Sequence, residues 1–101
     1  MSLVQKYGAD YLKNMDDMIT IADYVAANRE QLKGLVLVTA AMHEIAIEMM
    51  ARAEVFREGV GKPELDALFS ASEYQTAALM ASALEQRGVP ARVIRDIRDI
   101  P

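Results

Sequence analysis

No cysteine occurs among the 101 residues, which rules out disulfides, thiolate metal ligands and a cysteine nucleophile. Proline and glycine are also scarce, at three and five, so collagen-like, linker-rich and low-complexity architectures are excluded. Basic residues do not dominate: eleven Lys and Arg stand against fifteen Asp and Glu, a net charge of -4. A surface for nucleic acid or anionic lipid needs clustered excess cation, so neither partner is expected. The longest apolar stretch, Leu35 to Met42, is well under half of the ~20 residues a membrane-spanning helix requires. The N-terminus shows no charged segment followed by an apolar one, so no export signal is read there and a cytoplasmic location is expected.

What remains is a globular composition, 52% hydrophobic and 26% charged, at the length of one domain with one core. Leu3 to Tyr7 reads as a short strand closed by Gly8. From Asp10, a candidate N-cap, to about Lys33, apolar residues recur at helical spacing: Tyr11, Met15, Met18, Ile19, Ala22, Val25 and Ala26. Gly34 is the expected stop of that helix. Leu35 to Thr39 is continuously apolar and β-branched, the pattern of a central strand covered on both faces. A second helix is expected over Ala41–Glu58, broken by Gly59 to Pro63. A third begins near Pro63 and ends before Gly88, with Leu65, Leu68, Phe69, Ala77, Met80, Ala81 and Leu84 on its buried side. Ala91 to Ile94 reads as a third strand, and the charge-alternating tail 95–101 as a frayed end.

The expected fold is therefore α/β: a three-layer unit on a small three-stranded parallel sheet, in the order β-α-β-α-α-β. So narrow a sheet has two unprotected edges, which would favour pairing with a second subunit or another lobe. His43-Glu44 starts like a zinc-binding helix, but the second histidine of an H-E-x-x-H pattern is missing and the chain holds one histidine, so no metal is assigned. Seven methionines are many for this length. Met15, Met18, Met42, Met49, Met50 and Met80 read as core filler on apolar helix faces, with a binding groove as the alternative.

The opening Leu3-Val4-Gln5-Lys6-Tyr7-Gly8 resembles the first strand of the aspartokinases, within the amino acid kinase superfamily. Ile21-Ala22-Asp23 with Arg29-Glu30 is similar to that family's first helix, and Leu35 to Ala40 to its second strand. Glu64-Leu65-Asp66, Ser70 to Glu73, Thr76 to Leu84 and Arg87-Gly88-Val89-Pro90-Ala91 follow the family pattern in order and spacing. The resemblance covers nearly the whole chain and implies one unit, 1–101, like an aspartokinase N-terminal, substrate-binding lobe. By resemblance, Lys6 takes the place of the lysine that steadies the transferring phosphoryl group, and Thr39 and Glu73 fall at substrate-binding positions. Without the resemblance, a lysine at a strand end reads as a solvated charge and Glu73 as a helix-surface carboxylate.

Three departures bear on activity. Ala9-Asp10-Tyr11 stands where the family has Gly-[Thr/Ser]-Ser, Met42 where it has a small residue, and Ser72 where it has Gly. Asp10 and Met42 are expected to obstruct the phosphate path. The chain also stops before the lobe that binds ATP. These features imply a lobe isolated by truncation, gene decay or engineering, without turnover or cofactor of its own, ATP and Mg2+ entering only if a second chain supplies the nucleotide lobe. The alternative from another class is a non-catalytic module that binds aspartate or forms a homodimer.

Overall fold

The computed structural model describes residues 3–56, 58–59 and 61–94, in the order β1 (Val4–Tyr7), a 3-10 turn (Ala9–Tyr11), α1 (Met15–Ala27), β2 (Val36–Thr39), α2 (His43–Glu54) and α3 (Lys62–Gln86). β1 and β2 pair in parallel, Val4 beside Val36 and Tyr7 beside Thr39, and the ladder continues as the Ala40 N–H donates to the Tyr7 carbonyl at 3.0 Å. The parallel βαβ start is as expected from a helix set between two short apolar runs.

The first helix begins later than its periodicity indicates. Asp10 lies in the 3-10 turn, and the N-cap is Asn14, whose side chain accepts from the Asp17 N–H at 3.0 Å. Asp17 in turn accepts from the Lys13 N–H at 2.7 Å, one residue before the cap, so the chain is held on both sides of Asn14. α1 stops at Ala27, and residues 28–34 follow as turns. Gly34, at φ +79°, ends those turns and delivers the chain into β2; it is not the helix stop. The buried face of α1 is Met18, Ile21, Ala22 and Val25. Met15, Ile19 and Tyr11, counted on the apolar stripe, are exposed.

α2 is shorter than the expected 41–58, running only over His43–Glu54. α3 starts with Pro63 in its first turn, as expected, and buries Ser72, Thr76, Met80 and Leu84. Phe69, expected inside, is largely exposed. The end of α3 is a Schellman motif: the Gly88 N–H donates to the Glu85 carbonyl and the Val89 N–H to that of Leu84, each at 3.0 Å, with Gly88 at φ +77°. Val89 then packs on the core that Leu84 helps to form.

Among the described residues the sheet has two strands, not three. Ala91 to Ile94 makes no ladder, and the Ala91 N–H donates to the Glu85 carboxylate at 2.8 Å, which takes up a group that strand pairing would use. The tail expected over 95–101 lies outside the described residues. The core joins Leu12, Met18, Ile21, Ala22, Val25, Met42, Met80 and Leu84, with Tyr7 and Leu37 packed against it from the sheet and Leu35 from the residue before β2. Three layers are therefore reduced to two, helices against one face of the sheet. β2 is not covered on both faces, since Val38 remains 41% exposed beside the exposed Lys6. Of the methionines, Met18, Met42 and Met80 are core filler, whereas Met15 and Met50 are exposed. No helix of the described residues is long and apolar enough to cross a membrane.

Gly88→Ala should lower stability by about 1 kcal/mol, because a side chain at positive φ is strained. The cost is conformational and not steric, since the added Cβ would meet nothing nearer than the Arg29 guanidinium at 3.7 Å. Chemical denaturation of the wild type and variant checks it.

Candidate functional site

The carboxyl ends of parallel strands are where α/β folds bind ligands, and here those ends are Tyr7-Gly8 and Thr39-Ala40. From them the chain enters the 3-10 turn and the start of α2. A helix N-terminus offers unpaired amides and the positive end of the backbone dipole, the usual seat for a phosphate.

In this chain those amides are already occupied. The Met42 N–H donates to Thr76 Oγ1 at 2.8 Å. The His43 N–H donates to the Leu12 carbonyl and the Glu44 N–H to that of Lys13, both at 3.1 Å. The Ile45 and Ala46 amides turn back on the Met42 carbonyl at 3.0 and 2.9 Å. Glu44, in the first turn, adds a negative charge at the same helix end. An incoming phosphate would have to displace carbonyls of its own host and approach a carboxylate.

The helix end is closed by other atoms than the ones the sequence indicates. Met42 does not fill the loop space: its side chain is wholly buried in the core, and Asp10 is exposed with its carbonyl accepting from Lys13 Nζ at 3.0 Å. The backbone of Leu12 and Lys13 closes the helix end instead. That backbone is held by the Asn14–Asp17 cap and by the Lys13–Asp17 ion pair at 3.3 Å.

Thr76 is the second anchor. Its hydroxyl donates to the Ser72 carbonyl at 2.8 Å while accepting from Met42, and both Thr76 and Ser72 are fully buried. Ser72 Oγ donates to the Leu68 carbonyl at 3.0 Å, so these two polar side chains are each partnered along α3. Ser72, in place of the family's Gly, is thus a packed and satisfied core residue. The pairing of Thr76 with Met42 has no local signal in the sequence, since the two lie 34 positions apart.

The three residues singled out by resemblance are set apart. Lys6 is exposed beside Val38, on the face of the sheet away from the core, and no hydrogen bond or ion pair engages it among the described residues. Thr39 is half-buried beside Tyr7 on the covered face. Glu73 is exposed on α3, which packs on that covered face. No hydrogen bond or ion pair joins the three. Tyr7, between them, donates to Gln5 Oε1 at 3.1 Å, and its phenol is pushed up in pKa by burial and, secondarily, by Tyr24. At the far end of α3, Arg87 Nε meets Asp23 of α1 at 2.7 Å, tying the two helices together.

The model of the amino acid kinase family matches residues 1–101. An aspartate kinase of Pseudomonas putida is 33% identical over 89 residues, which cover 88% of this chain and 22% of that protein. An aspartokinase of Mycobacterium tuberculosis is 30% identical over 90 residues, covering 89% of this chain and 21% of the other. The chain thus spans about a fifth of the length of the curated relatives it matches. The crystal structure of an aspartate kinase from Synechocystis superposes with a TM-score of 0.79 over 93% of this chain and 16% of that one, at 23% identity, a match of fold.

Two outcomes follow from the closed helix end. Thr76→Val should cost about 1–3 kcal/mol by stranding the buried Met42 N–H, while Thr76→Ser keeps the acceptor and should lose less. Thermal or chemical unfolding of the pair checks this. The Asp17 carboxyl is held below its ordinary pKa by the Lys13 N–H, then by the Lys13 ammonium. A depressed folded pKa adds stability above the ordinary aspartate range, and that part is lost as pH falls through the folded value. Asp17→Asn should therefore flatten the acid limb of a stability–pH curve measured by denaturant titration.

Proposed function

Because the chain belongs to the amino acid kinase family, we propose that it is an aspartokinase-like substrate-side unit that transfers no phosphoryl group by itself. The observation that carries this reading is the occupied start of α2, where Thr76, Leu12 and Lys13 accept the first three amide protons. Phosphoryl transfer depends on positive charge and donors aimed where the transferred oxygens gather charge. Those donors are spent on the fold. A nucleotide phosphate does not fit at this helix end, and no catalytic step is assigned to one; ATP and Mg2+ belong with a nucleotide lobe supplied elsewhere. Lys6 keeps the family's position for a phosphoryl-steadying cation, Thr39 a substrate-side hydroxyl and Glu73 a carboxylate suited to a substrate ammonium. The sheet lies between Lys6 and the helix bearing Glu73, which is the arrangement of a retained scaffold more than of an assembled centre.

A second reading, a homodimerisation module, is favoured by the two-stranded sheet, whose outer edges have no strand partner among the described residues, and by the exposed Val4 and Val38 on its open face. Its measure is the oligomeric state.

The purified chain, given aspartate, ATP and Mg2+ with hydroxylamine to trap an acyl phosphate, should give no product above the enzyme-free blank. Turnover that disappears in Lys6→Ala would overturn the non-catalytic reading.

A further inference from the structure

Cysteine, the usual first target of peroxides, is missing from this chain, so all of its oxidisable sulfur is in methionine. A thioether has no proton to lose, and access to the sulfur decides how fast it reacts. The fold sorts the six methionines of the described residues by that access. Met15, at the first position of α1, is 42% exposed, and Met50, in the middle of α2, is 43% exposed. Met49 is half-buried. Met18 and Met42 are closed off completely and Met80 nearly so, all three inside the core.

We propose that Met15 and Met50 are modification sites for peroxides, oxidised to sulfoxide while the chain stays folded. In each reaction a sulfur lone pair attacks one oxygen of a hydroperoxide, an S–O bond forms and the O–O bond breaks. The proton of the attacked oxygen passes to the departing one, which leaves as water or, from an organic hydroperoxide, as an alcohol. Sulfur is oxidised by two electrons and the peroxide reduced by two, so no further reactant is needed.

Placement separates two outcomes of the same chemistry. Oxidation turns a flexible apolar side chain into a polar, chiral one. At Met15 and Met50 the new dipole faces water, and neither residue belongs to the core. The bonds that fix the starts of their helices, Asn14 with Asp17 and Met42 with Thr76, use other atoms. An exposed sulfoxide on a folded helix is also within reach of the reductases that restore the thioether, so this stage is reversible. At Met18, Met42 or Met80 the same oxygen would be buried without a partner among Leu12, Ile21 and Leu84. Those three sulfurs react only when the core opens, and their sulfoxides then oppose its closing. The outer pair thus takes up oxidant at no cost to the fold, and the inner three couple oxidation to unfolding.

The full chain, treated with dilute hydrogen peroxide and followed over time by peptide mass spectrometry, should gain sulfoxide first at Met15 and Met50 and next at Met49. Met18, Met42 and Met80 should react on the order of tenfold or more slowly. Once Met15 and Met50 are oxidised, helix content and the unfolding midpoint should match those of the untreated chain. Rising denaturant should speed the inner three in step with the unfolded fraction and leave the outer two unchanged. Met15→Leu combined with Met50→Leu should remove the two fast equivalents of peroxide uptake, and the wild-type measurements decide the matter even if that variant fails to fold. Core methionines that oxidise in the native chain as fast as Met15 and Met50 overturn the assignment. So does unfolding when those two alone carry oxygen. These readouts follow sulfur and fold, so they are independent of whether the chain transfers phosphoryl groups or forms a dimer.

Discussion

One hydroxyl holds the two halves of this molecule in register. Thr76 is buried without access to water, accepts the Met42 amide at 2.8 Å and donates to the Ser72 carbonyl at 2.8 Å. Through it the start of α2 is fixed to the middle of α3, and because Met42 is itself a core side chain, the bond also fixes how the helices meet Leu12 and Met18. A neutral hydrogen bond contributes only about 1 kcal/mol net. Its influence here is larger than that figure because the alternative is a buried amide with no partner.

The same geometry occupies the helix end at which an α/β fold can take an anion. α/β folds commonly bind anions where a strand runs into a helix, since unpaired amides and the helix dipole point into the gap. Here a capped turn supplies two carbonyls, and α3 supplies a hydroxyl, to those amides. Kinship to the amino acid kinases is carried by the order of elements and the matching stretches of sequence, while the first amides of α2 are paired within the chain.

Much of the architecture was readable from local pattern. Gly88 after α3, Pro63 in its first turn, and the βαβ start each follow from strong local preferences of single residues or short apolar runs. The failures have physical causes too. Asp10 reads as a cap, but Asn14 caps the Asp17 N–H while the Asp17 carboxylate holds the Lys13 N–H, and that selects the later start. The Met15–Ile19 phase of α1 was apolar enough to look buried; the core instead selects Met18, Ile21, Ala22 and Val25, a choice that only the approach of α3 determines. Two faces of α2 are apolar, and periodicity alone does not say which turns inward. The closure of α2 was legible only as a substitution at Met42, because the atoms that achieve it are backbone carbonyls of Leu12 and Lys13, about which side-chain identity says little.

The distance along the chain between Met42 and Thr76 also bears on synthesis. Because the two lie 34 positions apart, α2 can emerge fully from a ribosome while its opening amide still lacks an acceptor. A nascent chain in that interval would hold a parallel strand pair and a helix with an unsettled start, open to water or to a chaperone. Locking comes only when Thr76 has itself emerged, so a pause that leaves α2 outside the ribosome and Thr76 inside prolongs the vulnerable stage.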